Sequence, residues 1–152
     1  MNRSFIALAG VTTALLSPLC AAATSLATFT VTAQVVASCH VDTIDSPVLP
    51  LVVPGDGPVS APGTVRLRCT KGAVARVVPI QGGTVLTGPE GAHMTYRLQS
   101  GAGGPWDVAH PLVGTSTSAL VPMDLPFRAR LDGGQQAPLG TYRDTVTVEI
   151  TL

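Results

Sequence analysis

The feature that most constrains this chain is a two-residue alternation of apolar and polar residues in short runs. Threonine, valine and isoleucine dominate these runs, as they do on pleated sheet surfaces. Glycine and proline, with 16 and 13 residues, separate the runs, and no segment keeps a helical period. The alternating runs are residues 27–35, 65–69, 94–98, 127–131 and 145–152. Short strands at this spacing predict one all-β domain, a sandwich or a barrel.

The connectors between the runs have the composition of turns. Residues 54–58, 82–83, 101–105 and 132–134 combine glycine with proline, aspartate or further glycines. Such clusters mark turns and loops. We therefore expect these four segments to lie between strands, in a chain without an internal repeat or a second domain.

The N-terminal residues have the pattern of an export signal. Arg3 precedes an apolar stretch, residues 5–16, and the small residues 21–23 offer a cleavage site. The apolar stretch is shorter than the roughly 20 residues that span a bilayer. We expect a cleaved signal peptide over residues 1–23. A lipoprotein signal ending at Cys20 is disfavoured because a bulky leucine precedes that cysteine.

Signal cleavage would leave one pair of cysteines, Cys39 and Cys69. Exported proteins fold in oxidising compartments, which favour pairing. We predict a Cys39–Cys69 disulfide that ties the first strand to the second. The alternative is a pair of buried free thiols.

The charge composition excludes one large class of partners. Nine basic and nine acidic residues balance to a formal net charge of zero, and no basic patch stands out, so we expect no nucleic-acid partner. Charged residues make up 12% of the chain, against about 25% in an average domain. Together with a positive mean hydropathy, this scarcity favours self-association.

No motif of catalysis or of metal binding is present in the sequence. The three histidines lack the spacing of a metal site, no serine lies in a G-x-S-x-G motif, and no glycine loop has the context that binds phosphate. We therefore expect no catalytic residue, no metal and no cofactor, and we predict that the protein is not an enzyme.

Two pairs of residues admit two interpretations each. Asp42 and Asp45 could pair as carboxylates, but we expect them to be solvated residues of a turn. Trp106 and Tyr96 could form a platform for a sugar. A lone tryptophan in a chain with 4% aromatic residues more often lies in the core, and we expect this for Trp106.

The alternating runs at the two ends of the chain lack the proline or inward charge that usually protects an edge strand. The two ends could pair with each other inside one domain, or each could pair with another chain. Pattern alone favours neither arrangement.

Both end segments resemble spore coat protein U domain proteins, a family that includes the pilins of Csu-type archaic chaperone–usher pili. The resemblance rests on residues 28–39, TFTVTAQVVASC, and on residues 137–152, APLGTYRDTVTVEITL. Residues 64–70, TVRLRCT, lie where the second cysteine strand of the family belongs. The segment GTYRDTVTV, residues 140–148, is the most specific part.

The resemblance implies an incomplete immunoglobulin-like β-sandwich that is completed by a donor strand. Residues 24–38 would be the N-terminal donor strand segment, and residues 39–152 the pilin-like sandwich domain. The inserted side chains would be those of Ala27, Phe29, Val31, Ala33 and Val35. The acceptor groove would be lined in part by Val146, Val148, Ile150 and Leu152.

The resemblance also implies partners and a location. A periplasmic chaperone would lend a strand to the open domain, and an outer-membrane usher would exchange it for the arm of an identical or related pilus subunit. The chain would pass through the periplasm into a cell-surface pilus that supports adhesion and biofilm formation. The alternatives are a self-contained secreted β-sandwich that binds glycans and a coat protein.

Overall fold

The computed structural model describes residues 25–53 and 55–152. The signal peptide predicted for residues 1–23 lies outside the described residues. The described chain divides into two units between Ala33 and Gln34. In the first unit, residues 25–33 form no regular secondary structure.

The second unit is an all-β domain. Its described residues contain eight strands and one short 3₁₀ turn, Pro89–Gly91. In the part of the chain that the structure describes, no helix is long and apolar enough to cross a bilayer. The strands are β1 (Cys39–Asp45), β2 (Val59–Cys69), β3 (Val74–Gln81), β4 (Val85–Thr87), β5 (His93–Ser100), β6 (Leu112–Thr115), β7 (Met123–Leu131) and β8 (Thr147–Thr151).

The strands form two antiparallel sheets that share one core. The larger sheet has the strand order β1-β2-β7-β5-β4, and the smaller has the order β6-β3-β8. The largest fully buried side chains come from both sheets: Leu67, Leu131, Val65 and Val77. The strand pattern left a sandwich or a barrel open, and the β-sandwich that the family resemblance implied is confirmed.

The inward faces follow the alternation of the sequence. In β2, β5 and β7 every second residue is buried, including Val65, Met94 and Phe127. Trp106 is only 3% exposed. Its indole Nε1 donates a hydrogen bond to the carbonyl oxygen of Val77 at 2.9 Å, so Trp106 belongs to the core, as expected.

The predicted disulfide between Cys39 and Cys69 is confirmed. The two cysteines face each other in the register of β1 and β2.

One expectation about β1 is wrong, because Asp42 and Asp45 lie in β1 and not in a turn after it. The main chain of β1 pairs with β2, while the two carboxylates point outward to the cationic side chains of β2.

Candidate functional site

A deep groove opens onto the core between the two sheets. Its volume is about 930 Å³, room for on the order of 30 water molecules at about 30 Å³ each. Protein interiors rarely leave voids larger than a single water, so the core of this domain is incompletely covered. The floor is made of side chains that the sequence pattern placed in the core: Val65, Met94, Tyr96, Leu98, Trp106, Phe127, Ala129 and Leu131.

The segment that follows β1 forms one wall of the groove. Residues 46–52 all line it, and the segment is proline- and valine-rich. Leu49 packs against the core, whereas Val48 and Leu51 are 84% and 97% exposed. This wall therefore presents apolar side chains to the groove and to solvent.

A second wall is formed by Gln135, by residues 137–146 and by the start of β8. Val146 and Val148, two of the predicted acceptor residues, line the groove and are half-buried. Ile150 packs against the core but is not among the lining residues. Leu152 lies beyond the end of β8 and is 56% exposed. Within the described residues β8 pairs only with β3, which leaves its other edge free.

Tyr142 fixes the wall just before β8. Its hydroxyl donates a hydrogen bond to the carbonyl oxygen of Pro138 at 2.9 Å. A tyrosine in this place, bonded to the backbone a few residues upstream, is the tyrosine corner of immunoglobulin-type sandwiches. The ring packs on Gly88, where an added Cβ would come within 2.3 Å of it. Reciprocal backbone hydrogen bonds between Thr87 and Arg143, at 2.8 and 2.9 Å, join the wall to β4.

Asp144 connects the same wall to the groove floor. Its Oδ2 accepts hydrogen bonds from the hydroxyl of Tyr96 and from the backbone N–H of Gly83, both at 2.7 Å. Hydrogen bonds to an ionised acceptor are stronger than those between neutral groups. Burial, and secondly the hydrogen bond and charge of Asp144, raise the pKa of Tyr96 well above its usual value of about 10.

We expect Tyr96→Phe to lower the free energy of unfolding by about 1–3 kcal/mol at neutral pH, because a hydrogen bond to a charged acceptor is lost. The raised pKa of Tyr96 makes this loss depend on pH. Below pH 10 neither state ionises the phenol, so the contribution is complete. Above pH 10 the unfolded state releases the proton first, so the stability of the natural chain falls as pH rises.

Urea unfolding between pH 7 and 11, followed by the fluorescence of Trp106, measures this difference; every chain compared also carries Phe29→Asp, so that the exposed apolar residues before Cys39 do not associate with other copies. Tyr142→Phe is the matched control, since it removes a hydrogen bond to a neutral carbonyl. A difference between the Tyr96→Phe and natural chains that stays constant up to pH 11 would contradict the interpretation.

The predicted donor side chains are exposed. Phe29, Val31 and Val35 are 87%, 80% and 83% exposed, and residues 25–38 form no strand. Near the end of this segment, Val36 and Ser38 are held by hydrogen bonds to Thr70 at 2.9–3.4 Å. Among the residues that the structure describes, no cluster of three or more metal-ligating side chains was found.

Sequence reasoning missed most of the groove. Alternation identified the inward faces of β5 and β7. It did not indicate that part of each face lines an open groove. The wall at residues 46–52 lacks alternation, so its valines and leucines did not indicate which of them contacts the core. The segment at residues 140–148 was the best available signal, because it contains both Tyr142 and Asp144.

The fold and the groove define a class of protein: a two-sheet β-sandwich with a tyrosine corner and a core open beside the free edge of β8. Comparison with known proteins adds the family. The family model described as Spore Coat Protein U domain matches residues 25–149. The chain therefore belongs to the spore coat protein U domain family. No curated protein matches the chain.

A solved structure with a similar chain is the crystal structure of the CsuC–CsuE chaperone–tip adhesion subunit pre-assembly complex from archaic chaperone–usher Csu pili of Acinetobacter baumannii. The sequence identity is 17% and the TM-score is 0.49. The match covers 78% of the present chain and 40% of that chain, so the present chain spans less than half of its length.

Proposed function

We propose that this protein is a structural subunit of a chaperone–usher pilus, and that it polymerises by donor-strand exchange. The observation that carries the proposal is the groove of about 930 Å³ beside the free edge of β8. A β-strand suits this space, because it supplies both backbone hydrogen bonds for the edge and side chains for the core.

The arm before Cys39 has the length and the pattern of such a strand. Residues 27–35 are nine residues and would span about 30 Å when extended. One face would carry Ala27, Phe29, Val31, Ala33 and Val35, and the other face three threonines and a glutamine. The apolar face would enter the groove of the next subunit and the polar face would remain in solvent.

The energy of this exchange comes mainly from three large side chains. Phe29, Val31 and Val35 are exposed in the single chain. Burying them would yield about 5–9 kcal/mol, at roughly 1.5–3 kcal/mol for each large apolar side chain. The donor and the groove are different surfaces, so the contact is head-to-tail and does not close on itself. Repetition of the contact produces a filament.

A domain with this open groove would need a chaperone during export. An exposed apolar surface of this size promotes aggregation, so a periplasmic chaperone would occupy the groove until assembly. An outer-membrane usher would then replace the chaperone strand with the arm of an identical or related subunit. The resulting cell-surface pilus would support adhesion and biofilm formation.

A structural function also fits the polar groups at the groove. Tyr96 and Asp144 are hydrogen-bonded to each other at 2.7 Å, and Asp144 also accepts a hydrogen bond from the N–H of Gly83, so both side chains hold the wall of the groove to its floor. Val146 and Val148 line the wall beside them. We therefore propose that the groove binds a polypeptide strand and catalyses no reaction.

We expect the chain from residue 24 onward to leave the soluble monomeric state when it is produced in the periplasm without a chaperone. Without a chaperone, the exposed arm of one copy would bind the exposed groove of another copy. Size-exclusion chromatography with light scattering measures the result. A stable, folded monomer of full length would refute the proposal and would agree with a self-contained glycan-binding sandwich. Trp106, the expected site of that alternative, lies on the groove floor but is only 3% exposed, so it offers little surface to a sugar.

A further inference from the structure

The outer face of the larger sheet divides into two halves with different charge balance. In one half, each arginine has a carboxylate partner. Arg66 binds Asp124 at 2.8 Å and lies 3.8 Å from Asp45, and Arg68 lies 3.3 Å from Asp42. These pairs neutralise that half of the sheet.

The other half holds an excess of positive charge. Arg97 of β5 lies directly opposite Arg130 of β7 in the strand register, and like charges in this position destabilise a sheet. Asp132 is the acidic partner of both, since it forms an ion pair with Arg97 and lies 3.9 Å from Arg130. Arg128, two residues before Arg130 on the same face, has no ion pair with any carboxylate of the described residues.

A small pocket lies at this second half of the face. Its volume is about 120 Å³, the space of about four liquid waters and enough for one oxyanion. Neighbouring strands supply its polar groups, since Ser60 pairs with Arg130 and Gln99 pairs with Arg128 in the sheet registers. We call this site the arginine pocket; it is lined by Pro58, Val59, Ser60, Gln99, Arg128 and Arg130.

We propose that the arginine pocket binds the carboxylate of an acidic polysaccharide. The planar guanidinium of arginine matches a carboxylate with two parallel hydrogen bonds. Asp132 already offsets part of the charge of Arg130, so the pocket suits a singly charged group better than a phosphate dianion. The proposal rests on this face alone and does not depend on donor-strand exchange.

The size of the pocket favours a sugar acid over a protein partner. The pocket admits one carboxylate beside Arg128 and Arg130, and Ser60 and Gln99 of its lining can bind the hydroxyls of the sugar ring that carries it. A stable protein partner would need an interface of about 1,000 Å² or more. The adjacent part of this face has its charges paired internally through Arg66 and Arg68, so it offers little to such a partner.

Titration of the full mature chain with oligogalacturonate, by calorimetry, tests this site. We expect Arg128→Gln to weaken binding by about 10-fold to 100-fold, the range for one charge-assisted hydrogen bond. Arg76→Gln is the matched control, because Arg76 is an exposed arginine on β3 of the other sheet. It should leave the affinity unchanged. Asp132→Asn should raise the affinity, since it releases Arg97 and Arg130.

The outcomes separate the proposal from its competitors. Absence of oligogalacturonate binding by the natural chain would overturn it. An equal loss in Arg128→Gln and Arg76→Gln would overturn it too, because it would show attraction to overall charge. Tighter binding of dextran sulfate, inorganic phosphate or an oligonucleotide than of oligogalacturonate would exclude the carboxylate. All variants are compared in one assembly state, so a failure of polymerisation leaves the test intact.

Discussion

A chain with Val148→Asp is expected to lose the ability to accept a donor strand while it keeps the ability to donate one. Val148 lines the groove beside the free edge of β8. A carboxylate there would meet the apolar side chains of an incoming arm. An unpaired charge that loses its water costs several kcal/mol, which weakens the contact on the order of 1,000-fold or more.

The reverse defect is expected from Phe29→Asp. This change removes the largest apolar side chain of the arm and replaces it with a charge that would have to leave water among the apolar side chains of the groove floor. The chain should then accept an arm but fail to donate its own. Alone, neither variant should form fibres in electron micrographs.

Mixing the two variants is the decisive measurement. The Val148→Asp chain supplies an intact arm and the Phe29→Asp chain supplies an intact groove, so together they should form dimers that stop growing. Light scattering distinguishes dimers from fibres and from monomers. Fibres formed by either variant alone, or the lack of dimers in the mixture, would show that a different contact joins the subunits.

Matched controls distinguish these defects from misfolding. Val113→Asp places the same charge on β6, where Val113 is 51% exposed, and it should polymerise normally. Thr30→Asp places it on the polar face of the arm and should also polymerise. Formation of the Cys39–Cys69 disulfide and the fluorescence of Trp106 report whether each variant is folded.

Strands that bury one face on the core could be predicted from the sequence, and strands that do not could not. β2, β5 and β7 lie in the larger sheet with one face on the core, so burial imposes a strict alternation that is visible in the residues. β1 has no such signal. Its residues after Cys39 are exposed, and its pairing with β2 depends on backbone hydrogen bonds that any residue can make.

The groove could not be derived from the same pattern for a physical reason. Alternation predicts which side chains are buried. It does not predict whether a single chain supplies enough side chains to fill the core between the two sheets. The wall at residues 46–52 has no period, and its contact through Leu49 depends on the path of the chain after β1. By contrast, alternation placed Val146 and Val148 on one face of a strand, the family resemblance implied that they line a groove, and both do line it.

Loss of the Cys39–Cys69 disulfide is expected to lower the free energy of unfolding by about 3–4 kcal/mol. The bond closes a loop with a sequence separation of 30 residues, and the chain-entropy model gives this value for a loop of that length. Cys39 is the first residue of β1, and β1 pairs only with β2 among the described strands. The bond thus fixes the root of the arm to a strand inside the sheet.

Urea unfolding of Cys39→Ala/Cys69→Ala in the Phe29→Asp background measures this loss on a chain that cannot polymerise. The Phe29→Asp chain reduced with dithiothreitol is the control, because it lacks the bond but keeps both sulfur atoms. If the free energy of unfolding falls by the same amount in the two samples, the decrease is due to the loss of the covalent bond. A loss below about 1 kcal/mol would mean that the 30-residue loop is already restricted in the unfolded chain, contrary to the entropy model. In the proposed filament the arm would pull on Cys39, and the same bond would pass the load to β2 before β1 could separate from the sheet edge.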